Sequence, residues 1–213
     1  MTNRKPVVSY AISLIVLFLI FSLTFVLEGN KRNLLFDEGG IVEIASALGY
    51  FLCAAQILYK GKINYFREYY YFFVLIIMFG LRELDFHKRF TTMGILKIKF
   101  FISTEVPFTE KLIGFLIFLL LLHATITMYK KHFRQFIEGL KKHSTIHIGV
   151  LIAAILLVIS KTLDGISRKL GSIGKEIGIQ VYQHLAAFEE VLELGIPMIL
   201  IIIFHTYFDK HKI

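Results

Sequence analysis

Val7–Leu27 reads VVSYAISLIVLFLIFSLTFVL, twenty-one positions without one charge. A helix needs about 20 mainly apolar residues, rising about 1.5 Å each, to cross a hydrocarbon core of about 30 Å. The run meets that length. Arg4 and Lys5 precede it, as they would in a secretory signal, but the run exceeds a signal's apolar core. The VLEGNKRN that closes it has no small-x-small cleavage site, so the segment reads as a retained membrane anchor.

The rest of the chain agrees with that reading. Of 213 residues, 56% are apolar and 19% charged, against about 45–50% and about 25% in an ordinary soluble domain. Mean hydropathy is +0.67. These proportions exclude disorder and a lone soluble core, and the single cysteine, Cys53, excludes a disulfide-stapled scaffold. Five further apolar stretches follow, at about 41–59, 69–88, 112–129, 146–165 and 187–208. The expectation is one all-α domain over residues 1–213, a polytopic integral membrane bundle of about six transmembrane helices. Pro197, inside the last span, is expected to kink it by removing a backbone hydrogen bond. Residues 90–107 mix apolar and basic side chains, as in GILKIKFFIS, and read as an interfacial or re-entrant segment. Residues 130–143 read as a basic cytoplasmic loop facing anionic lipid.

With six spans, the 24 Lys and Arg divide evenly between the two faces, twelve on each. The short basic loop KKHFRQFIEGLKKH favours cytoplasmic N- and C-termini. Only Glu68, Glu138 and Asp209 among the acids then fall inside, so the inner face carries about +9 and the outer face about −1. The net charge of +8 is therefore a property of membrane topology, and no nucleic-acid partner is expected. Tyr10, Tyr59, Tyr65, Tyr69, Tyr70, Tyr71, Tyr129 and Tyr207 mark the inner span ends, the pattern of an interfacial aromatic belt.

Depth along the helices singles out a group of charges. Counted from those inner ends, Glu43 lies about 24 Å up its helix, Arg82 about 20 Å, and Lys161 and Glu193 about 22 Å each. Glu83 shares that level, and Asp85, His87, Asp164, Glu189 and Glu190 lie about a turn nearer the outer surface. Ionisable groups at such depth are costly unless they converge or meet a wet cavity, so they are expected to face one another. The carboxylates of Glu43, Glu83, Asp85 and Glu193 are candidate acid, base or metal-binding groups. Arg82, Lys161 and Arg168 are candidate donors to an anionic head group. His87, Glu189 and Glu190 are candidate metal ligands, and a divalent metal is the candidate cofactor, although the repeated Glu-x-x-His of carboxylate-bridged sites is absent. A salt-bridge network that only fixes helix register is the plainer alternative.

Other signals are weaker. The pairs His143/His147 and His205/Asp209, each four apart, have zinc spacing but sit at interfacial positions. His123, alone in an apolar span, is read as a hydrogen-bonded packing residue rather than a haem ligand. GSIGKE (Gly171–Glu176) lacks the glycine spacing and the Ser or Thr of a phosphate loop. The leading functional expectation is a membrane-embedded enzyme acting on a lipid or lipid-linked substrate. An ion- or proton-coupled transporter or small channel, and an accessory subunit docking a partner, are the alternatives. Membrane lipids are the expected partners, a homo-oligomer is compatible with the sequence, and the expected location is the cell membrane, as in a bacterial inner membrane.

Overall fold

The computed structural model describes residues 4–37, 39–95, 97–166 and 178–211. These form α1 (Arg4–Ser22), α2 (Gly29–Phe36), α3 (Ile41–Glu83), α4 (Phe86–Arg89), α5 (Ile98–Ile102), α6 (Phe108–Lys141), α7 (Thr145–Leu163) and α8 (Ile179–His211). A short 3-10 turn, Leu23–Phe25, extends α1. No strand occurs among the described residues. Four helical stretches are long and apolar enough to cross a membrane: Lys5–Phe25, Gly29–Ile63, Phe108–Lys141 and Thr145–Leu163.

Their surfaces point the same way. Only 11% of the apolar window of α6 is buried, and Phe18, Leu19, Leu116 and Val158 lie exposed on α1, α6 and α7. Apolar patches this large are not left to water by a soluble monomer. Surrounded by lipid such patches are at home, because helices satisfy nearly all of their backbone polar groups internally. The fold is that of an all-helical, multi-pass membrane protein.

At about 1.5 Å per residue, the 43 residues of α3 would make an unbroken rod of about 64 Å, twice a hydrocarbon core. The helix is not unbroken. Lys62 takes φ 53° and ψ −174°, and Tyr69 departs from helical angles at φ −123° and ψ 25°. Two arms, residues 41–61 and 70–83, are joined by the short helical segment 63–68 between these two breaks and fold back on each other. Tyr50 on one arm stacks on Phe79 of the other, ring centroids 5.8 Å apart. One helix in name is thus a hairpin of two.

The bundle closes around α8, which packs against α7, both arms of α3, and α1. Tyr50, Cys53, Ala54 and Ile57 from α3 meet Ile196, Ile199, Ile203 and Phe204 from α8, with Ala153 and Leu156 from α7. In lipid there is little hydrophobic drive between helices, so close van der Waals packing carries the association, and small residues permit it. A β-carbon on Gly49 would stand 3.0 Å from the Pro197 β-carbon; the bare glycine lets α3 sit directly against the proline.

That contact has a polar counterpart. Pro197 has no N–H to offer the carbonyl four residues back, which belongs to Glu193. The Ser46 hydroxyl donates to that carbonyl oxygen at 3.2 Å. Both groups are buried, so α3 repairs the gap that the proline opens in α8. Ser46→Ala leaves the carbonyl unpaired and is expected to lower stability by about 1–2 kcal/mol, read as a lower thermal midpoint in detergent with unchanged helicity.

Three boundaries differ from the hydropathy reading. The second arm of α3 ends at Glu83 rather than near Lys88, because Asp85 turns into the left-handed region at φ 51° and its N–H caps the Arg82 carbonyl at 2.9 Å. Residues 130–141 are not a loop but the last turns of α6. That stretch is held by the Arg134–Glu138 pair at 3.1 Å and by Tyr129 packing on Phe133, contacts that a polar helix end makes at i, i+4. Residues 90–107 carry only the single turn α5, whose Phe100 is buried against Ile95 and Val106. The tyrosines also divide. Tyr59 and Tyr129 are exposed, whereas Tyr10, Tyr65 and Tyr71 are core residues, because a residue's height along a helix says nothing of which face it occupies.

Candidate functional site

Glu193 faces inward from α8, one turn before Pro197. The last turn of α3 brings Arg82 and Glu83 to it, and the last turns of α7 bring Ser160 and Lys161. Arg82 Nη2 donates to Glu193 Oε1 at 3.1 Å, and Lys161 Nζ donates to the same oxygen at 2.6 Å. Ser160 Oγ stands 3.5 Å from it. Arg82 Nη1 is also 3.6 Å from Glu83 Oε1, and Lys161 Nζ is 3.8 Å from Asp164 Oδ2. Three helices meet on one carboxylate.

The arrangement is polarised. Glu83 and Glu193 are buried, while the Arg82 and Lys161 side chains are 32% and 33% exposed. The carboxylates lie behind and the cations in front. Two carboxyl groups and two cationic groups share the cluster, so each buried acid has a basic neighbour. The N–H groups of a guanidinium and an ammonium nevertheless remain within reach of whatever enters from the open side.

Of the four groups that sequence places at one depth, the structure joins Arg82, Lys161 and Glu193. Glu43 is at the first turn of α3, where its Oε2 accepts the Gly39 N–H, a position that favours an acid through the helix dipole. Glu189 and Glu190 lie one turn outward from Glu193 on α8, both half-buried. Glu190 Oε2 is buried with no hydrogen-bond partner among the described residues. Asp85 begins α4. The side chain of His87 and the whole of Arg168, Lys169 and GSIGKE lie outside the described residues. Among the described residues, no three His, Cys, Asp or Glu side chains come together as metal ligands.

The hydroxyls of Ser46 and Ser160 went unread in the sequence, although a proline marks the carbonyl four residues before it as needing a donor. Lys60 was missed too. It completes a second cluster at the opposite end, donating to Asp209 Oδ1 at 3.0 Å and lying 2.9 Å from His205 Nδ1, while His205 Nε2 lies 3.1 Å from Asp209 Oδ2. A lysine therefore fills the place that zinc would take between His205 and Asp209. That hydrogen bond from Lys60 holds the Asp209 carboxyl below its ordinary range. His147 packs with its ring against Gly139 and is no partner for a metal with His143, which has left the helix at φ 51°. His123 Nε2 is hydrogen-bonded to the Tyr70 hydroxyl, and His132 Nε2 to that of Tyr71 at 2.6 Å.

No family model matches this chain, and neither a curated protein nor a solved structure is significantly similar to it.

Proposed function

We propose that the chain is a membrane-embedded enzyme acting on a lipid or lipid-linked substrate with an anionic head group. The observation that carries this reading is the polarised cluster: half-buried, outward-reaching Arg82 and Lys161 backed by buried Glu83 and Glu193. In this reading the chain crosses a cell membrane six times, such as a bacterial inner membrane, with both termini cytoplasmic. The second arm of α3 and residues 187–208 of α8 complete the set of spans. The cluster then lies at the depth where acyl chain meets head group in the outer leaflet, within reach of a substrate that never leaves the bilayer.

The roles follow from the chemistry. Arg82 and Lys161 bind the phosphate or carboxylate of the substrate, with Arg168 as a further candidate donor. Glu83 and Glu193 form the acid and base pair, since a carboxyl held between cations and a second carboxyl can pass a proton at little cost. Glu190, Glu189, Glu43 and Asp85 supply the acidic surround, and a divalent metal at the outer mouth is compatible with it.

Transport is the weaker reading. A transported ion needs a wet route from the cluster to the far face, and that half of the bundle is filled by Cys53, Ala54, Ile57, Ile199, Ile203 and Phe204. The test uses purified protein in lipid nanodiscs, incubated with a total membrane lipid extract and read by mass spectrometry. A lipid consumed by the wild type, and untouched by Glu83→Gln and by Glu193→Gln at equal folded amounts, is the expected result. Turnover that survives both substitutions overturns the proposal.

A further inference from the structure

The end of the bundle opposite the Glu193 cluster holds a cavity of about 410 Å³ between the first turns of α1 and the last turns of α8. Its walls are of two kinds. Pro6, Ile201 and Ile202 make an apolar floor, and Lys5 and Lys210 stand at the rim, both exposed. The only carboxylate among its lining residues is Asp209, and the Lys60 contact at 3.0 Å with the His205 contact at 3.1 Å occupies that group. His205 is engaged through both ring nitrogens. The hydroxyls of Ser9 and Thr206, also in the lining, donate to carbonyls of their own helices, Lys5 O at 3.1 Å and Ile202 O at 2.8 Å.

What remains for a ligand is two lysine ammoniums above an apolar floor. Lys210 Nζ touches only the edge of hydrogen-bonding range to Thr145 Oγ1, at 3.5 Å. We infer that this cavity binds the phosphate of an anionic phospholipid, with the glycerol and first methylenes over Pro6, Ile201 and Ile202. The charge is right for a phosphate, the floor is right for the chain behind it, and the site lies beside the first turns of α1, where Val7, Val8 and Ile12 are exposed as lipid-facing apolar surface. A water-soluble phosphate would use the lysines and leave the floor unfilled.

The probe is phosphatidylglycerol, added to delipidated full-length protein in neutral detergent and followed by native mass spectrometry. Phosphatidylcholine and free glycerol phosphate are run in parallel. One phosphatidylglycerol is expected to bind per chain, well ahead of phosphatidylcholine, with glycerol phosphate failing to displace it at equal concentration. The pair Lys5→Gln and Lys210→Gln is expected to weaken binding roughly tenfold or more, since each basic side chain near a lipid surface contributes about 1 kcal/mol. A control pair at the end of α6, Lys141→Gln and Lys142→Gln, leaves it unchanged. Equal binding of the two lipids, equal competition by glycerol phosphate, or no loss in the Lys5/Lys210 variant at an unchanged thermal midpoint would each overturn the inference.

Discussion

Glu193→Ala is expected to destabilise the protein by about 3 kcal/mol, at the lower end of what breaking a buried ion pair costs. The substitution removes the one oxygen on which Arg82 and Lys161 both converge. Two cations at span depth are then left with Glu83 and Asp164, at 3.6 Å and 3.8 Å, as their remaining described carboxylate contacts. The cost falls at the low end because about a third of each cationic side chain is exposed and can rearrange toward water or head groups. Unfolding of the variant in detergent, followed by loss of helical ellipticity, measures it. A companion variant separates the roles of the cluster. Arg82→Met, Lys161→Met, Glu83→Gln and Glu193→Leu together remove every charge of the central contact, and such replacements often restore or exceed the original stability. A quadruple variant that is stable and fully active reduces the cluster to a structural clasp; one that is stable and inactive leaves chemistry as its reason for existing.

Gly149→Val is expected to cost at least as much, about 3 kcal/mol. Gly149 lies on α7 where α1 and α8 both press in. A β-carbon there would overlap the Tyr10 hydroxyl and stand 2.8 Å from Ile203 Cγ1. Tyr10 is 3% exposed and cannot swing aside without vacating the core. Overpacking of this kind costs about 1–3 kcal/mol, and valine adds its own branch to the clash. A thermal midpoint unchanged from wild type would mean that α1 is far more loosely seated than its contacts indicate. Tyr10→Phe in the same background keeps the ring but removes the overlapping oxygen, and is expected to recover part of the loss.

Hydropathy and length made the apolar spans legible, because a 30 Å hydrocarbon slab imposes a count on any helix that crosses it. Depth counting also brought Arg82, Lys161 and Glu193 to one level, where the structure joins them. It said less about which of these groups touch, because height along a helix is fixed by residue number, but azimuth depends on how the helix is turned against its neighbours. Glu43 is at the right height, and its Oε2 accepts the Gly39 N–H while the side chain stays near enough to Glu190 to act on it electrostatically. The same blindness put Tyr65 and Tyr71 in an interfacial belt when they are buried. The reversal inside α3 was legible, because separate apolar stretches at 41–59 and 69–88 require the chain to turn between them; only the use of a lysine at φ 53°, beside Gly61, departs from the usual preference for glycine in that region. Ser46 was the near miss. Pro197 announces an unpaired carbonyl at Glu193, and only its donor awaited the three-dimensional arrangement.

The hairpin of α3 makes the molecule a counting device. Both arms hang from the turn between Lys62 and Tyr69, one carrying Ser46 to the Glu193 carbonyl and the other carrying Arg82 to its carboxylate. A residue gained or lost in either arm turns everything beyond it by about 100° and slides it by about 1.5 Å. Arg82 would then leave Glu193, with Leu81 in its place after a gain and Glu83 after a loss. The two arms are consequently intolerant of length change, although most of their outer surface accepts nearly any apolar residue. Substitutions of apolar residues within the arms are thus expected to be tolerated far better than any change in their length, which only the segments that join the helices can absorb.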